Sequence, residues 1–312
     1  MPATACITRL APSPTGALHL GNAQSFLINW ALARRNGWKL LLRVEDLDTP
    51  RTKPDADRQA LEDLRWLGLD WDEGPVYQSA DLRPYRKALE RLKRAGLVYP
   101  CRCTRRDLIE SASAPHGDAH ELRYPGTCRP PNGPADESGC AWRLVVSDET
   151  VEFVDQIRGP RSVCPAHQVG DFVVWTKADL PSYQLAVVVD DAASGVSDVV
   201  RGDDLIDSTG RQILLYRLLS LGPPPRYWHL PMVVGPDGRR LAKRHGDTRI
   251  AAFREAGCTP QQVIGLIGNL LGLEAKPEPM VLGEFLQRLR PERLPAGPIT
   301  LTQHHLEVLG TA

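Results

Sequence analysis

The chain has 312 residues, with 38 basic and 38 acidic side chains and a formal net charge of zero. This balance argues against a nucleic-acid binder that relies on a charged tail, although it leaves room for a local basic face. An apolar content of 42% and a charged content of 24% are typical of a globular enzyme and exclude general disorder.

No segment of the sequence is expected to cross a membrane, and the first residues lack the pattern of a signal peptide. The longest uncharged run, residues 256–273, has apolar residues at helical spacing and predicts an amphipathic core helix. Seven unevenly placed cysteines fit a reduced chain better than a disulfide scaffold. We therefore expect a cytoplasmic protein.

The first 44 residues predict a βαβ unit. A strand over residues 7–10 is followed by a turn-rich stretch, a helix over residues 22–35 that stops near Gly37, and a strand over residues 38–44. This order points to a parallel sheet, whose ligands gather at the carboxyl ends of the strands. The turn after Leu10 and the acidic residues after Val44 would both lie at that edge.

The rest of the chain predicts a mixture of helices and strands. Helices are expected over residues 54–67, 81–95 and 209–221, and strands over residues 142–146, 173–176, 184–189, 196–200 and 229–234. Residues 236–238 predict a turn, and the segment after it is expected to be mainly helical.

Two distant segments have the chemistry of phosphate binding. His19, Gly21 and Asn22 lie between the first strand and its helix, where backbone N–H groups and the helix dipole favour an anion. Four cations fall within residues 239–244 of a glycine-flanked loop, which suits a leaving pyrophosphate. Taken alone, each segment is also compatible with an ordinary helix start or a solvated basic turn.

A third signal is a group of cysteines within residues 99–148, which resemble an insertion rich in Gly, Pro and Ser. Cys101, Cys103 and Cys128 in a reduced protein indicate a structural zinc site, although buried thiols without a metal are the simpler alternative. The spacing leaves the fourth ligand open among side chains that are commoner zinc ligands than a phenol: His116, His120 and Cys140.

In combination, these blocks resemble the class I aminoacyl-tRNA synthetases, and among them the glutamyl branch. Residues 9–16 are similar to the opening block of that branch, residues 19–22 to its HIGH motif, residues 42–51 to the next block and residues 240–244 to its KMSKS loop. Three residues depart from the motifs: Asn22 stands for the last His of HIGH, and Arg240 and Ala242 stand for a Lys and the Ser of KMSKS.

The resemblance implies an α/β fold with a Rossmann-like parallel-sheet catalytic domain, a zinc-binding insertion and a small helical C-terminal region. The implied boundaries are residues 1–98 and 149–247 for the two halves of the catalytic domain, 99–148 for the insertion and 248–312 for the C-terminal region. It also implies functional residues. The catalytic set is His19, Asn22 and Lys243, and Gly21 and Arg240 join them in binding ATP. The glutamate-binding set is Arg9, Leu10, Ala11, Pro12, Ser13, Glu45, Tyr183 and Arg201.

Only residues 248–312 follow the basic loop, too few for the large anticodon-binding region of a full-length glutamyl-tRNA synthetase. The sequence resembles the shorter glutamyl-queuosine tRNA(Asp) synthetases, whose pattern implies that Tyr124 is the fourth zinc ligand. That resemblance implies a monomer that uses ATP with Mg²⁺ to activate L-glutamate without tRNA, then attaches it to the queuosine base of tRNA(Asp).

Three other functions are compatible with parts of this pattern. A short conventional synthetase would charge the 3′ end of tRNA(Glu), and a non-catalytic relative would only bind RNA. A small nucleotidyltransferase acting on another acid would share the HIGH-like motif, but the blocks around Arg9 and Glu45 argue against it.

Overall fold

The computed structural model describes residues 6–48, 52–111, 122–134, 136–241 and 246–307. Its strands are β1 (Ile7–Leu10), β2 (Lys39–Val44), β3 (Glu73–Tyr77), β4 (Val98–Cys101), β5 (Ala141–Leu144), β6 (Val151–Asp155), β7 (Gly159–Val163), β8 (Val173–Trp175), β9 (Asp198–Gly202), β10 (Arg226–Leu230), β11 (Val233–Val234) and β12 (Ile299–Thr300).

Its α-helices are α1 (Leu20–Asn36), α2 (Ala56–Trp66), α3 (Arg83–Arg94), α4 (Arg105–Ser111), α5 (Pro165–Gln168), α6 (Tyr183–Ala193), α7 (Ile206–Leu218), α8 (Ile250–Glu255), α9 (Pro260–Leu270), α10 (Leu282–Arg288) and α11 (Gln303–Glu307). None of the helices in the described ranges is both long enough and apolar enough to cross a bilayer.

The predicted βαβ unit is confirmed. β1 and β2 pair in parallel, with Ile7 opposite Lys39, and β3 extends the sheet in parallel on the other side of β2. Helix α1 ends as predicted at Gly37, whose φ of 63° is a left-handed conformation that glycine adopts without a steric penalty.

A second sheet has the strand order β7-β6-β10-β9, with β10 parallel to both of its neighbours. Its parallel strands adjoin β1, because Ser197, just before β9, donates its N–H to the Ile7 carbonyl at 2.9 Å. The resulting parallel-sheet α/β character agrees with the expected fold class. A third, antiparallel sheet joins β4, β5 and β8, so residues beyond 148 pair with the segment predicted as an insertion.

The C-terminal helices pack on the first sheet. Leu27 and Ile28 of α1 share one buried cluster with Val263 and Ile267 of α9, which confirms a core helix within residues 256–273. Helix α9 also packs closely on the chain that follows it, because a Cβ atom at Gly265 would lie 1.8 Å from the Glu278 carbonyl oxygen. The C-terminal helices therefore share one hydrophobic core with α1 and the first sheet.

Some predicted elements are wrong. Residues 184–189 are not a strand but the first half of α6, which begins at Tyr183. The Ser182 side chain caps this helix by accepting a hydrogen bond from the Leu185 N–H. The predicted strand 229–234 is interrupted, since β10 ends at Leu230 and β11 begins at Val233. The segment predicted as helical also contains β12, which pairs in parallel with β11 in a separate two-stranded sheet.

Candidate active site

The start of α1 is arranged around His19. Its Nδ1 accepts a hydrogen bond from the Gly21 N–H at 3.2 Å, and its own N–H donates to Asn22 Oδ1 at 3.1 Å. This reciprocal cap places the proton of a neutral imidazole on Nε2 and leaves the Asn22 amide group as a donor. A Cβ at Gly21 would lie 3.2 Å from the His19 ring, so the missing side chain gives the imidazole room.

The charge of His19 is also set by its surroundings. Partial burial lowers the pKa of His19, and the nearby Asp204 carboxylate opposes this effect without cancelling it. The imidazole is therefore neutral near pH 7 and acts as a hydrogen-bond donor rather than a fixed cation.

The fold brings the basic segment to the same place. Arg240 forms an isolated bridge with Val234 at the base of a hairpin, and the returning chain places Arg249 opposite His19. Thr248 accepts a hydrogen bond from the Leu20 N–H at 2.9 Å. The two segments predicted to bind phosphate therefore lie next to each other. Lys243, which is predicted to contact pyrophosphate, lies outside the described residues.

A cavity of about 490 Å³ joins most of the predicted residues. The predicted residues in its wall are Arg9, Ala11, Ser13, His19, Gly21, Asn22, Glu45, Tyr183, Arg201 and Arg240. Leu10 and Pro12 do not line it, because Leu10 is fully buried in the core and Pro12 is buried beneath the turn. The Pro12 carbonyl accepts the Glu45 N–H at 3.0 Å and so ties the ends of β1 and β2 together.

A buried ion-pair network lies behind the cavity. Arg9 Nε contacts Asp191 Oδ1 at 3.0 Å, and Arg43 contacts the same oxygen at 2.7 Å and Glu45 Oε1 at 3.3 Å. Burial favours a raised pKa for Asp191, but Arg43 and Arg9 outweigh it and hold the pKa below its usual range. Burial dominates at Glu45, whose pKa is raised despite Arg43 and Arg9. An arriving cation would therefore stabilise the Glu45 carboxylate.

Arg201 is held in one orientation by buried partners. Its Nε donates to His229 Nε2 at 3.1 Å, its Nη1 to Gln212 Oε1 at 2.8 Å and its Nη2 to Thr209 Oγ1 at 2.9 Å. Burial lowers the pKa of His229 to about 4, so the ring is neutral and can accept this bond on Nε2. The guanidinium is thereby positioned before any ligand binds.

Sequence reasoning missed two acidic residues of this region. Asp191 lies just beyond the predicted strand 184–189, and only the helical geometry of α6 brings it to Arg9. Asp204 lines the cavity and contacts Arg240 Nη2 at 3.0 Å. The signal for Asp204 was available, because consecutive acidic residues directly follow β9 at a sheet edge where ligands bind.

Comparison with known proteins places this chain in a family. Residues 5–296 match the family model for the catalytic domain of class I tRNA synthetases (E and Q). The chain is 47% identical to a glutamyl-Q tRNA(Asp) synthetase of Symbiobacterium thermophilum, with 97% of this chain and 99% of the relative aligned. The chain belongs to the glutamyl-Q tRNA(Asp) synthetases.

Longer relatives align with part of their length. A glutamate–tRNA ligase 2 of Halorhodospira halophila is 39% identical, and the alignment covers 90% of this chain but 60% of that protein. The crystal structure of a glutamate tRNA ligase from Elizabethkingia meningosepticum in complex with its amino acid superimposes with a TM-score of 0.81 at 24% identity. It covers 98% of this chain and 69% of that protein, which establishes the shared fold.

A second cavity of about 580 Å³ opens beside the first in this glutamyl-Q synthetase-type chain. The two share Ser13, Glu45 and Tyr183 in their walls. The charged side chains among the described residues of the second wall are Glu45 and Asp48, both acidic. This cavity therefore suits a neutral or cationic group better than a phosphate.

The predicted cysteines converge at the end of β4. The Sγ atoms of Cys101, Cys103 and Cys128 all lie within 4.8 Å of one another, and those of Cys103 and Cys128 are 3.6 Å apart. Tyr124 Oη lies 3.4 Å from Cys101 Sγ and 3.9 Å from Cys103 Sγ. Tetrahedral zinc with bonds of about 2.3 Å to sulfur and 2.0 Å to oxygen needs similar separations, roughly 3.5–3.8 Å.

Among the three alternatives for the fourth position, Cys140 lies within the described residues. The Cys140 thiol contacts the Asp136 carbonyl at 3.5 Å and does not join the three other cysteines. His116 and His120 lie outside the described residues. Arg143 donates to Cys101 Sγ at 3.2 Å and covers the Tyr124 ring at 3.7 Å, which supplies positive charge beside the anionic ligand set that zinc requires.

Proposed function

We propose that this chain activates L-glutamate with ATP and then transfers it to the queuosine base in the anticodon loop of tRNA(Asp). The cavity of about 490 Å³ carries the proposal. Its wall contains His19 and Arg240, which are expected to bind phosphate, together with Arg9 and Glu45, which are expected to bind glutamate. The relative from Symbiobacterium thermophilum, named for glutamyl-Q and tRNA(Asp), supports this choice of acceptor.

Charge complementarity supports glutamate as the amino acid. Arg9 and Arg201 provide guanidinium groups for carboxylates, and Glu45 provides an anion for the α-ammonium group. Tyr183 adds a hydroxyl at the junction of the two cavities. Leu10 and Pro12 would contribute by holding Ala11 and Ser13 at the wall rather than by touching the ligand.

In the first step, a carboxylate oxygen of glutamate attacks the α-phosphorus of ATP, which enters with Mg²⁺, and pyrophosphate leaves. The Nε2–H of His19, the side-chain amide of Asn22 and the N-terminus of α1 would donate hydrogen bonds to phosphoryl oxygens. Lys243 would bind the departing pyrophosphate. Positioning and charge stabilisation are the main contributions that such a site makes to phosphoryl chemistry.

In the second step, a hydroxyl of the queuosine cyclopentene-diol attacks the carbonyl carbon of glutamyl-adenylate, and AMP leaves. We assign the second cavity to this acceptor, since its wall includes Ser13, Glu45 and Tyr183 but neither His19 nor Arg240. Queuosine carries a secondary amine that is protonated near neutral pH, and Asp48 offers a carboxylate in the same cavity.

We further propose that Cys101, Cys103, Tyr124 and Cys128 bind one structural zinc ion. Their donor set and their separations fit a tetrahedral site, and Arg143 balances part of its negative charge. When bound, zinc would fix the segment between β4 and β5 against the catalytic domain. We expect the enzyme to act as a monomer in the cytoplasm.

The decisive experiment locates labelled glutamate on RNA. The chain is incubated with radioactive glutamate, ATP and queuosine-bearing tRNA(Asp), and the product is mapped with nucleases. We expect the label in the anticodon-loop fragment, and glutamate-dependent ATP–pyrophosphate exchange without RNA. A parallel incubation contains tRNA(Glu) instead; label on its 3′ terminal adenosine, or exchange that requires tRNA, would contradict the proposal.

A further inference from the structure

The cavity of about 490 Å³, to which the proposed function assigns ATP, contains a carboxylate that is unexpected in a phosphate site. Asp204 stands in the same wall as His19 and Arg240, and its side chain keeps 25% of its surface exposed. A negative charge here repels the triphosphate that the cavity is proposed to receive. Its placement therefore calls for a role that outweighs this repulsion.

The local backbone holds the Asp204 carboxylate in the cavity. Asp204 lies in a single 3₁₀ turn, Asp203–Leu205, directly after β9. A Cβ at Gly202 would lie 2.6 Å from Asp204 Oδ1, so the glycine leaves space for the carboxylate to fold back over the strand end. The turn itself is anchored on its other side, where Asp203 pairs with Arg158 at 2.7 Å.

The partner of Asp204 is the first cation of the KMSKS-like segment. Arg240 Nη2 contacts Asp204 Oδ2 at 3.0 Å, and 54% of the Arg240 side chain is exposed. The backbone at this point is fixed by the bridge between Val234 and Arg240 and by the hydrogen bond from the Gly235 N–H to the Arg239 carbonyl at 2.8 Å. The side chain of Arg240 can therefore change partners without moving the base of the loop.

We propose that Asp204 is a positioning residue that holds Arg240 at the cavity in the free enzyme and gives it up to the phosphates of ATP. This inference rests on the proposed function, because it assigns the cavity to ATP. Before ATP binds, the carboxylate satisfies the guanidinium and keeps it at the cavity edge. The triphosphate carries a larger negative charge, so it displaces Asp204 from Arg240. When pyrophosphate departs, Asp204 takes Arg240 back and thereby favours release.

The exchange predicts that removing the Asp204 charge tightens the binding of phosphate ligands. In Asp204→Asn, ATP no longer competes with a carboxylate, so the Kd values for ATP and for pyrophosphate should fall roughly two- to fivefold, the range expected for a pair near the surface. Gly202→Ala should act in the same direction, because its Cβ displaces the carboxylate without removing its charge. Asp207→Asn is the matched control: it removes a nearby negative charge that does not line the cavity, so both Kd values should stay unchanged.

A double-mutant cycle measured by equilibrium binding tests the pairing itself. In an Arg240→Gln background, Asp204→Asn should have a clearly smaller effect on ATP binding than in the wild type. An equal effect in both backgrounds would mean that Asp204 only repels phosphate, and weaker ATP binding that is restored by added Mg²⁺ would mean that it binds the metal. Either result overturns the exchange. Failure of the wild type to activate glutamate, with this coupling intact, would instead count against the proposed function.

Discussion

His229 and Asp155 form a pair with no solvent exposure, in which His229 Nδ1 lies 2.6 Å from Asp155 Oδ2. The Asp155 carboxylate accepts a hydrogen bond from the Nδ1–H of His229, and Nε2 of the same ring accepts a hydrogen bond from Arg201 Nε. The pair therefore fixes both the tautomer of His229 and the direction of the Arg201 guanidinium. Asp155 does not line the first cavity, yet through His229 it helps to orient Arg201, which does.

This pair predicts a loss of stability in mild acid. An unfolded His has a pKa of about 6.5, whereas burial lowers the pKa of folded His229 to about 4. Between these values the unfolded chain binds the extra proton, so the stabilisation is complete above pH 6.5 and is lost as the pH falls towards 4. The free energy of unfolding should decrease by about 3 kcal/mol from this group, as measured by urea denaturation across the window.

His229→Gln provides the comparison for that measurement. A glutamine side chain offers one donor and one acceptor but does not titrate. Its free energy of unfolding should be lower at pH 7 and should change less between pH 6.5 and 4 than that of the wild type. Identical pH slopes in the two proteins would contradict the assignment of a neutral His229.

Glu45 should control the affinity for glutamate. Glu45→Gln removes the anion proposed for the α-ammonium group, and we expect the KM for glutamate in ATP–pyrophosphate exchange to rise roughly ten- to hundredfold. Because burial raises the pKa of Glu45, the wild-type KM should also rise as the pH falls towards that pKa, and this dependence should weaken in the variant. An unchanged KM would show that Glu45 acts only as a partner of Arg43.

Lys243 should be needed for activation rather than for glutamate binding. Lys243→Ala removes the cation assigned to pyrophosphate, so glutamate-dependent ATP–pyrophosphate exchange should fall by about two orders of magnitude or more. Lys243→Arg should keep part of the rate because it keeps the charge. Exchange near the wild-type rate in Lys243→Ala would reject the role of the loop.

The N-terminal half of the site was predictable because its signals are local. The presence of helix α1, its stop at Gly37 and the strand that ends at Val44 each depend on neighbours within a few residues. Their positions in one βαβ unit follow from the general rules for parallel sheets. The roles that the family resemblance gives to these residues stay predictions.

The other half of the site depends on contacts that no local pattern encodes. Helix α6 is buried on nearly all sides, so its valines do not need to follow a helical period. An apolar run without that period predicts a strand. Asp191 reaches Arg9 only through that helix, across 182 positions of sequence. The fourth position beside the cysteines was equally open, since the approach of Tyr124 to Cys101 depends on how the segment folds back.

Asp48 separates the two steps of the proposed reaction. It lines the second cavity and not the first, so Asp48→Asn should leave RNA-independent ATP–pyrophosphate exchange close to wild type. Transfer to queuosine-bearing tRNA(Asp) should fall roughly tenfold, because the protonated amine loses a charged partner. The measurement is the rate of label transfer from preformed glutamyl-adenylate. Equal losses in both assays, or no loss in transfer, would remove the second cavity from the reaction.

Tyr124 should contribute to metal binding through its oxygen atom alone. Tyr124→Phe keeps the ring beneath Arg143 but removes Oη, the atom that lies 3.4 Å from Cys101 Sγ. We expect the wild type to hold about one zinc ion per chain, and the variant to lose it at roughly tenfold lower chelator concentration. Cys101→Ser should lose the metal more completely, since thiolates are the stronger ligands.

Cys140→Ser is the matched control for this series, because its thiol contacts the Asp136 carbonyl instead of the three clustered cysteines. It should retain zinc like the wild type. Wild-type retention in Tyr124→Phe would exclude the phenol as a ligand, and loss of the ion in His116→Ala or His120→Ala would then identify the fourth donor. A well-folded wild type without bound metal would refute the site as a whole.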